Sequence, residues 1–355
     1  MLRLSIASGG AEDGAAIMTV TNQAKRNEGR APRQSWMDLL RGLAILLVVA
    51  FHSVTILSRV DLVPPAWLKE ITDFFALYRM PTLMFLSGLL LPKSLEKGSA
   101  TYFLGKLRSV WWPYLIWSAV TAIVFSRDVG SVPAIFSLLN AGSYLWFLYF
   151  IGIFYFVAYL VKSFNFLIVG AAIFGIAVLV SFGSPGIVVH TRMFYLMTFF
   201  FLGAFAGRHW DAFLALIDRR ESLIAAAVAA IGGVLAAYFD FKSGPAFIAL
   251  TLAFVIAACH LSRKVADRRW THLPNYVGRN SLKFYVSHFP AIYLFDVMAV
   301  RLGVTNTDIL VVASIVFALS VGLILSVSSE RSKPVQWLFA FPKFGKPAAV
   351  RPASA

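Results

Sequence analysis

The feature that most constrains this chain is its succession of long apolar runs. A helix needs about 20 mostly apolar residues to cross the hydrocarbon core of a bilayer. Ten runs approach that length, near 39–58, 71–91, 109–126, 144–162, 165–182, 192–207, 221–239, 243–262, 281–300 and 307–328. They are continuous rather than alternating with period two, which favours helices over a β-barrel. The expected fold is therefore all-α, a polytopic integral membrane helix bundle of about ten transmembrane helices. Composition agrees. Apolar residues make up 59% of the 355 residues and charged residues 14%, where a soluble domain carries about 25% charged. A soluble domain, a disordered chain and a fibrous protein are excluded. A single cysteine, Cys259, excludes an internal disulfide framework and a multi-cysteine metal site.

The formal net charge is nonetheless +15, from 32 basic and 17 acidic residues. Its distribution explains it. Ten spans put both ends of the chain on one side. The segments of that side hold 23 Lys/Arg, and those of the other side only Arg59, Lys69, Arg127, Arg192, Lys242 and Arg301. The positive-inside rule then makes both termini cytoplasmic. The partner of the basic surface is the lipid bilayer of a cell membrane, and no nucleic acid is expected. Residues 1–35 are polar and lack the apolar core of a signal peptide. They read as a disordered cytoplasmic tail, with Met18 an alternative start. Residues 36–328 form one membrane domain without an internal repeat. Residues 329–355 form a basic cytoplasmic tail containing Pro334, Pro342, Pro347 and Pro352.

Ionisable residues within a span are costly and are functional candidates by default. In the first run Arg41 and His52 are eleven residues apart. That separation is close to three full turns, so the two share a helix face with His52 about 16 Å deeper. In the second run Arg79 must face a cavity or a carboxylate, with Asp73 and Asp296 the available acids, and Pro81 is expected to kink the helix. The ninth run opens Asn280-Ser281, a capping pair, and carries Tyr285 and His288 three residues apart on one face. Other features read as structural. Gly203-Ala-Phe-Ala-Gly207 is a small-residue helix contact. Trp36, Trp67, Trp210, Trp270 and Trp337 are interface anchors. His190, His209, His260 and His272 fall near span ends or in loops, where solvated imidazoles are common. There is no phosphate loop, His-Glu-x-x-His or nucleophile elbow, and no metal site is expected.

Five ordered motifs carry a resemblance. Asp38-x-x-Arg41-Gly-x-Ala-x6-Phe-His52 resembles the opening motif of the membrane acyltransferase-3 family. Met80-Pro81-Thr-Leu-Met-Phe-Leu-Ser87-Gly88 is similar to its second-helix motif. Lys106-Leu-Arg108-Ser-Val-Trp-Trp-Pro113-Tyr114 resembles its basic run before Pro-Tyr. Leu145-Trp146-Phe147-Leu148 resembles its Leu-Trp-Phe-Leu motif. Gly278-x-Asn280-Ser281-Leu-x-x-Tyr285-x-x-His288 resembles its late motif. Two departures stand out. Tyr144 stands where the family often has His, and the basic run has Lys106 and Arg108 rather than paired arginines.

The resemblance implies O-acyl transfer, usually acetyl, from a cytoplasmic acyl-CoA to a hydroxyl of an envelope sugar, polysaccharide or glycolipid. Acetyl-CoA or another acyl-CoA is then a donor substrate, with no permanently bound cofactor. Arg41, Lys106, Arg108 and Arg279 are the candidates for its phosphates. His52 is the candidate general base, a role that needs a neutral imidazole. Arg79, Tyr285 and His288 are candidates for stabilising the oxyanion or orienting the sugar. Direct transfer and an acyl-imidazole intermediate both remain open. A transporter or flippase of a lipid-linked sugar or organic anion is the competing class, and a non-catalytic assembly or sensor protein a third.

Overall fold

The computed structural model describes residues 34–125, 144–183, 188–240 and 244–342. The tail expected over 1–35, all but its last two residues, lies outside them. So do the end of the 329–355 tail, Arg127 and Lys242.

A helix stands at each of the ten apolar runs. In chain order they are α1 (Ser35–Leu57), α2 (Ala66–Phe74), α3 (Arg79–Leu89), α4 (Ser99–Lys106), α5 (Trp112–Val124), α6 (Trp146–Leu160) and α7 (Phe166–Ser181). There follow α8 (Val188–Arg208), α9 (Glu221–Tyr238), α10 (Ile248–Val265), α11 (His272–Arg279), α12 (Ser281–Arg301) and α13 (Thr307–Arg331). No strand occurs among the described residues. Segments Ser35–Val60, Glu221–Tyr238, Pro245–Val265 and Thr307–Arg331 are long and apolar enough to cross a membrane, and Trp146–Leu160 and Phe166–Ser181 are shorter apolar helices. The protein is an all-helical membrane protein. Several helices outside that set are broken, or carry the charged and polar groups of the site.

Two breaks depart from the sequence expectation. The second run is not one helix kinked at Pro81. It is α2 and α3, parted by turns at Phe75–Tyr78 in which the Ala76 and Tyr78 N–H groups donate to Asp73 and Phe75. Pro81 falls in the first turn of α3, where the missing N–H costs nothing. Between α4 and α5 the helix widens into a π turn over Leu107–Trp111. This is the kind of insertion that recurs at functional sites. Helix starts follow capping chemistry at Asn165 and Asn306, whose side chains accept from Leu167 and Ile309 N–H. Asn280 does not cap. The chain runs almost helically from α11 into α12, so Asn280 ties back to the Tyr276 carbonyl and accepts from Lys283 instead.

Glycines set how closely the helices approach. A Cβ on Gly88 would lie 2.0 Å from the Phe200 carbonyl oxygen, and one on Gly203 would lie 2.1 Å from that of Phe85. Gly207 meets Leu89 in the same way. The expected Gly203–Gly207 contact is thus the seam between α3 and α8, and Gly88 is its other half. Two side chains differ from expectation. Trp36 is buried and stacks on Trp210, so this pair packs inside the bundle. His260 is also buried, and its Nδ1 donates to the Ile217 carbonyl at the end of the short helix Trp210–Ile217. Residues 333–342 dock along α5, with Trp112 and Trp117 donating to the Trp337 and Leu338 carbonyls.

Candidate active site

The site is built on α1 and α12, and two glycines pin α1 against α11, the helix that leads directly into α12. A Cβ on Gly42 would lie 1.9 Å from the Pro274 carbonyl oxygen, and one on Gly278 would lie 1.8 Å from that of Asp38. Only glycine permits this approach. Each glycine is followed, ten residues on, by a histidine: His52 after Gly42 and His288 after Gly278. Both rise by about 15 Å from the contact, and the rings arrive side by side with centroids 5.1 Å apart. The glycine contact brings the two level.

Hydrogen bonds assign the tautomers. A carbonyl can only accept, so the Nδ1 of His288, 3.2 Å from the Phe284 carbonyl, carries the proton. Its buried Nε2 has no partner among the described residues. The Thr55 hydroxyl donates to the His52 carbonyl and presents its lone pair to His52 Nδ1 at 3.4 Å. This favours the Nδ1–H form and leaves the Nε2 lone pair of His52 available.

A cavity of about 150 Å³ adjoins the pair. His52, Arg79 and Tyr285 line it, together with Tyr144, Trp146 and Arg192. Arg79 packs its guanidinium 3.9 Å from the Phe51 ring centroid and donates to the Thr72 carbonyl. It forms no ion pair with either expected acid. Asp73 bonds Lys69, and buried Asp296 faces Ser314. Arg79 also lines a larger apolar cavity of about 530 Å³ between α1, α9 and α10.

Proline chemistry positions Tyr144. Pro290 lies inside α12 and has no N–H, which frees the carbonyl of Val286 four residues earlier. Tyr144 donates its hydroxyl to that carbonyl at 2.5 Å, and Tyr285 donates to the Tyr144 carbonyl at 2.6 Å. The two reciprocal bonds fasten the start of α6 to α12 beside His288.

The candidate donor-binding residues lie apart from this cavity. Arg41 sits about 16 Å below His52 on unbroken α1 and pairs with Asp38 at 3.7 Å. Lys106 places Nζ 3.5 Å from the Tyr155 ring centroid, and Tyr155 is also within electrostatic reach of Arg41. Burial between Tyr102 and Tyr155, reinforced by Lys97, pushes Lys106 down to about 8. Arg279 is exposed and follows the Gly278 contact, beside the turn that carries Arg41. Arg108 lies in the π turn with a buried Nε that has no described partner, and none of the described contacts joins it to Arg41 or Arg279. Sequence reasoning missed Arg192, which it took for a topology charge at the edge of a run. The available signal was a cation on the basic-poor side at the start of an apolar helix.

The chain thus packs its helices around a cavity beside the His52–His288 pair, with the cations Arg41, Lys106, Arg108 and Arg279 away from it. The family model described as an acyltransferase domain, acyltransferase-3, matches residues 34–329, and the chain belongs to that family. No curated protein and no solved structure matches the chain.

Proposed function

We propose that this protein is a multi-pass enzyme of the plasma or inner membrane, with ten spans and both termini in the cytoplasm. It transfers an acetyl group from cytoplasmic acetyl-CoA to a hydroxyl of an envelope sugar, polysaccharide or glycolipid. The observation that carries this reading is the His52–His288 pair beside a cavity, with Lys106 stacked on Tyr155 and Arg41 within electrostatic reach of that same tyrosine.

Arg41, Lys106, Arg108 and Arg279 hold the phosphates of the donor, and the pantetheine arm runs inward along α1 toward His52. The Nε2 of His52 takes the proton of the acceptor hydroxyl as its oxygen attacks the thioester carbonyl. Arg79 offsets the charge of the tetrahedral oxyanion. Collapse breaks the carbon–sulfur bond, and the thiolate leaves with the proton that His52 holds. No acyl-enzyme is required. His288 orients the His52 ring, and Tyr285, whose hydroxyl is committed to Tyr144, positions the wall of the cavity.

The test is acyl transfer by purified protein together with mass spectrometry of envelope glycans from cells with and without the gene. His52→Ala is expected to lower the rate by about 10²–10⁴-fold while the protein stays monodisperse. Wild-type rates in that variant would remove the proposed base. Arg41→Ala is expected to raise KM for acetyl-CoA more than it lowers kcat.

A further inference from the structure

The cavity beside His52 holds two guanidinium groups, Arg79 and Arg192, and no Asp or Glu is among the residues that line it. Arg79 is only 9% exposed. Arg192 lies against the Trp146 ring at 4.4 Å, and its buried Nε has no partner among the described residues. Neither guanidinium has a carboxylate within ion-pair distance among the described residues. Aromatic faces hold such groups in place without neutralising them. Cations inside a bundle normally pair with a carboxylate or a backbone carbonyl, or mark a substrate path. Buried Arg79 and half-buried Arg192, lining one small space with no carboxylate in its wall, make that space attractive to negative charge.

The donor's phosphates do not supply that charge. Their candidate partner Arg41 lies about 16 Å away along α1. The cavity, at about 150 Å³, has the volume of roughly five waters of ~30 Å³ each, enough for one anionic group and the edge of a sugar ring. We infer that Arg192, across the cavity from Arg79, forms a subsite for a carboxylate or a phosphate borne by the acceptor sugar, with Arg79 left to the reaction oxyanion. The enzyme therefore selects acidic or phosphorylated sugars over neutral ones. The inference rests on the acyl-transfer reading for the identity of the acceptor, but its test does not require turnover.

Binding of methyl β-D-glucuronoside, D-glucose 6-phosphate and methyl β-D-glucoside to the full-length protein is measured without acyl-CoA. The readout is the ligand-dependent shift of the thermal unfolding midpoint at fixed ionic strength. At least one acidic ligand is expected to bind tenfold or more tightly than the neutral glycoside. Arg192→Gln should abolish that preference, and Arg192→Lys should keep most of it, which separates loss of charge from misfolding. Arg301→Gln, at an exposed cation that does not line the cavity, should leave it intact. Equal binding of acidic and neutral ligands, or an unchanged preference in Arg192→Gln, overturns the inference. An Arg192-dependent preference for succinyl-CoA over acetyl-CoA, without a sugar preference, would place the anion on the acyl group and overturn it as well. An intact sugar preference with no acyl transfer would count against the transferase reading alone.

Discussion

At the scale of single residues, two groups carry tests beyond the histidines. Lys106 is a cation only while protonated, and burial holds it near 8. A lysine lowered in this way is charged below that value and loses its charge as pH rises through it. Affinity for acyl-CoA should therefore fall between pH 7 and 9. Lys106→Arg, which stays charged throughout, should flatten the profile. An identical pH dependence of KM in both proteins would exclude Lys106 from the donor site. Tyr144 is the second. Its hydroxyl fills the acceptor freed by Pro290, so Tyr144→Phe leaves a buried carbonyl unpaired, at a cost of about 1–3 kcal/mol. A lower unfolding midpoint and a lower transfer rate are expected. Pro290→Ala combined with Tyr144→Phe should recover part of the loss, because the new N–H satisfies Val286. This role was hidden in the sequence, where Tyr144 registers only as a departure from the family motif. A hydrogen bond between residues 142 positions apart leaves no local trace.

At the scale of elements, the histidine pair depends on backbone contact. The α1 and α11 backbones approach so closely that a methyl group at Gly42 has nowhere to go. Gly42→Ala and Gly278→Ala should each destabilise by at least ~1–3 kcal/mol, separate His52 from His288, and lower both transfer and donor binding, since Arg41 and Arg279 adjoin the contact. Gly175, in α7, has open space where its Cβ would lie. Gly175→Ala should leave activity unchanged and hold or raise the unfolding midpoint, since alanine favours helix by about 0.5–1 kcal/mol. Equal tolerance at Gly42 and Gly175 would contradict the close approach. The motif glycines were visible as motif members, but not their partnership, because 236 positions separate them. The opposite error occurred at Pro81, where a proline that suggested a kink merely opens a helix after a break.

At the scale of the whole molecule, the distribution of basic residues predicts which side each loop faces. Cys259 is fully buried and should stay silent toward an impermeant maleimide. In intact cells Arg301→Cys should label and Arg219→Cys should label only after the membrane is opened, and the reverse pattern would invert the proposed orientation. Helical class, membrane residence, the positions of the apolar runs and the family all follow from the sequence, because bilayer thickness and backbone hydrogen bonding act on every run separately. The expectation that Arg41 and His52 share a stripe likewise needs only helix periodicity. The level meeting of His52 with His288, the proline-freed carbonyl that holds Tyr144, and the second guanidinium of Arg192 were decided by tertiary structure alone. Each depends on where two distant helices touch, and that is set by backbone approach at glycines and by packing, which leave no period in the sequence of either helix.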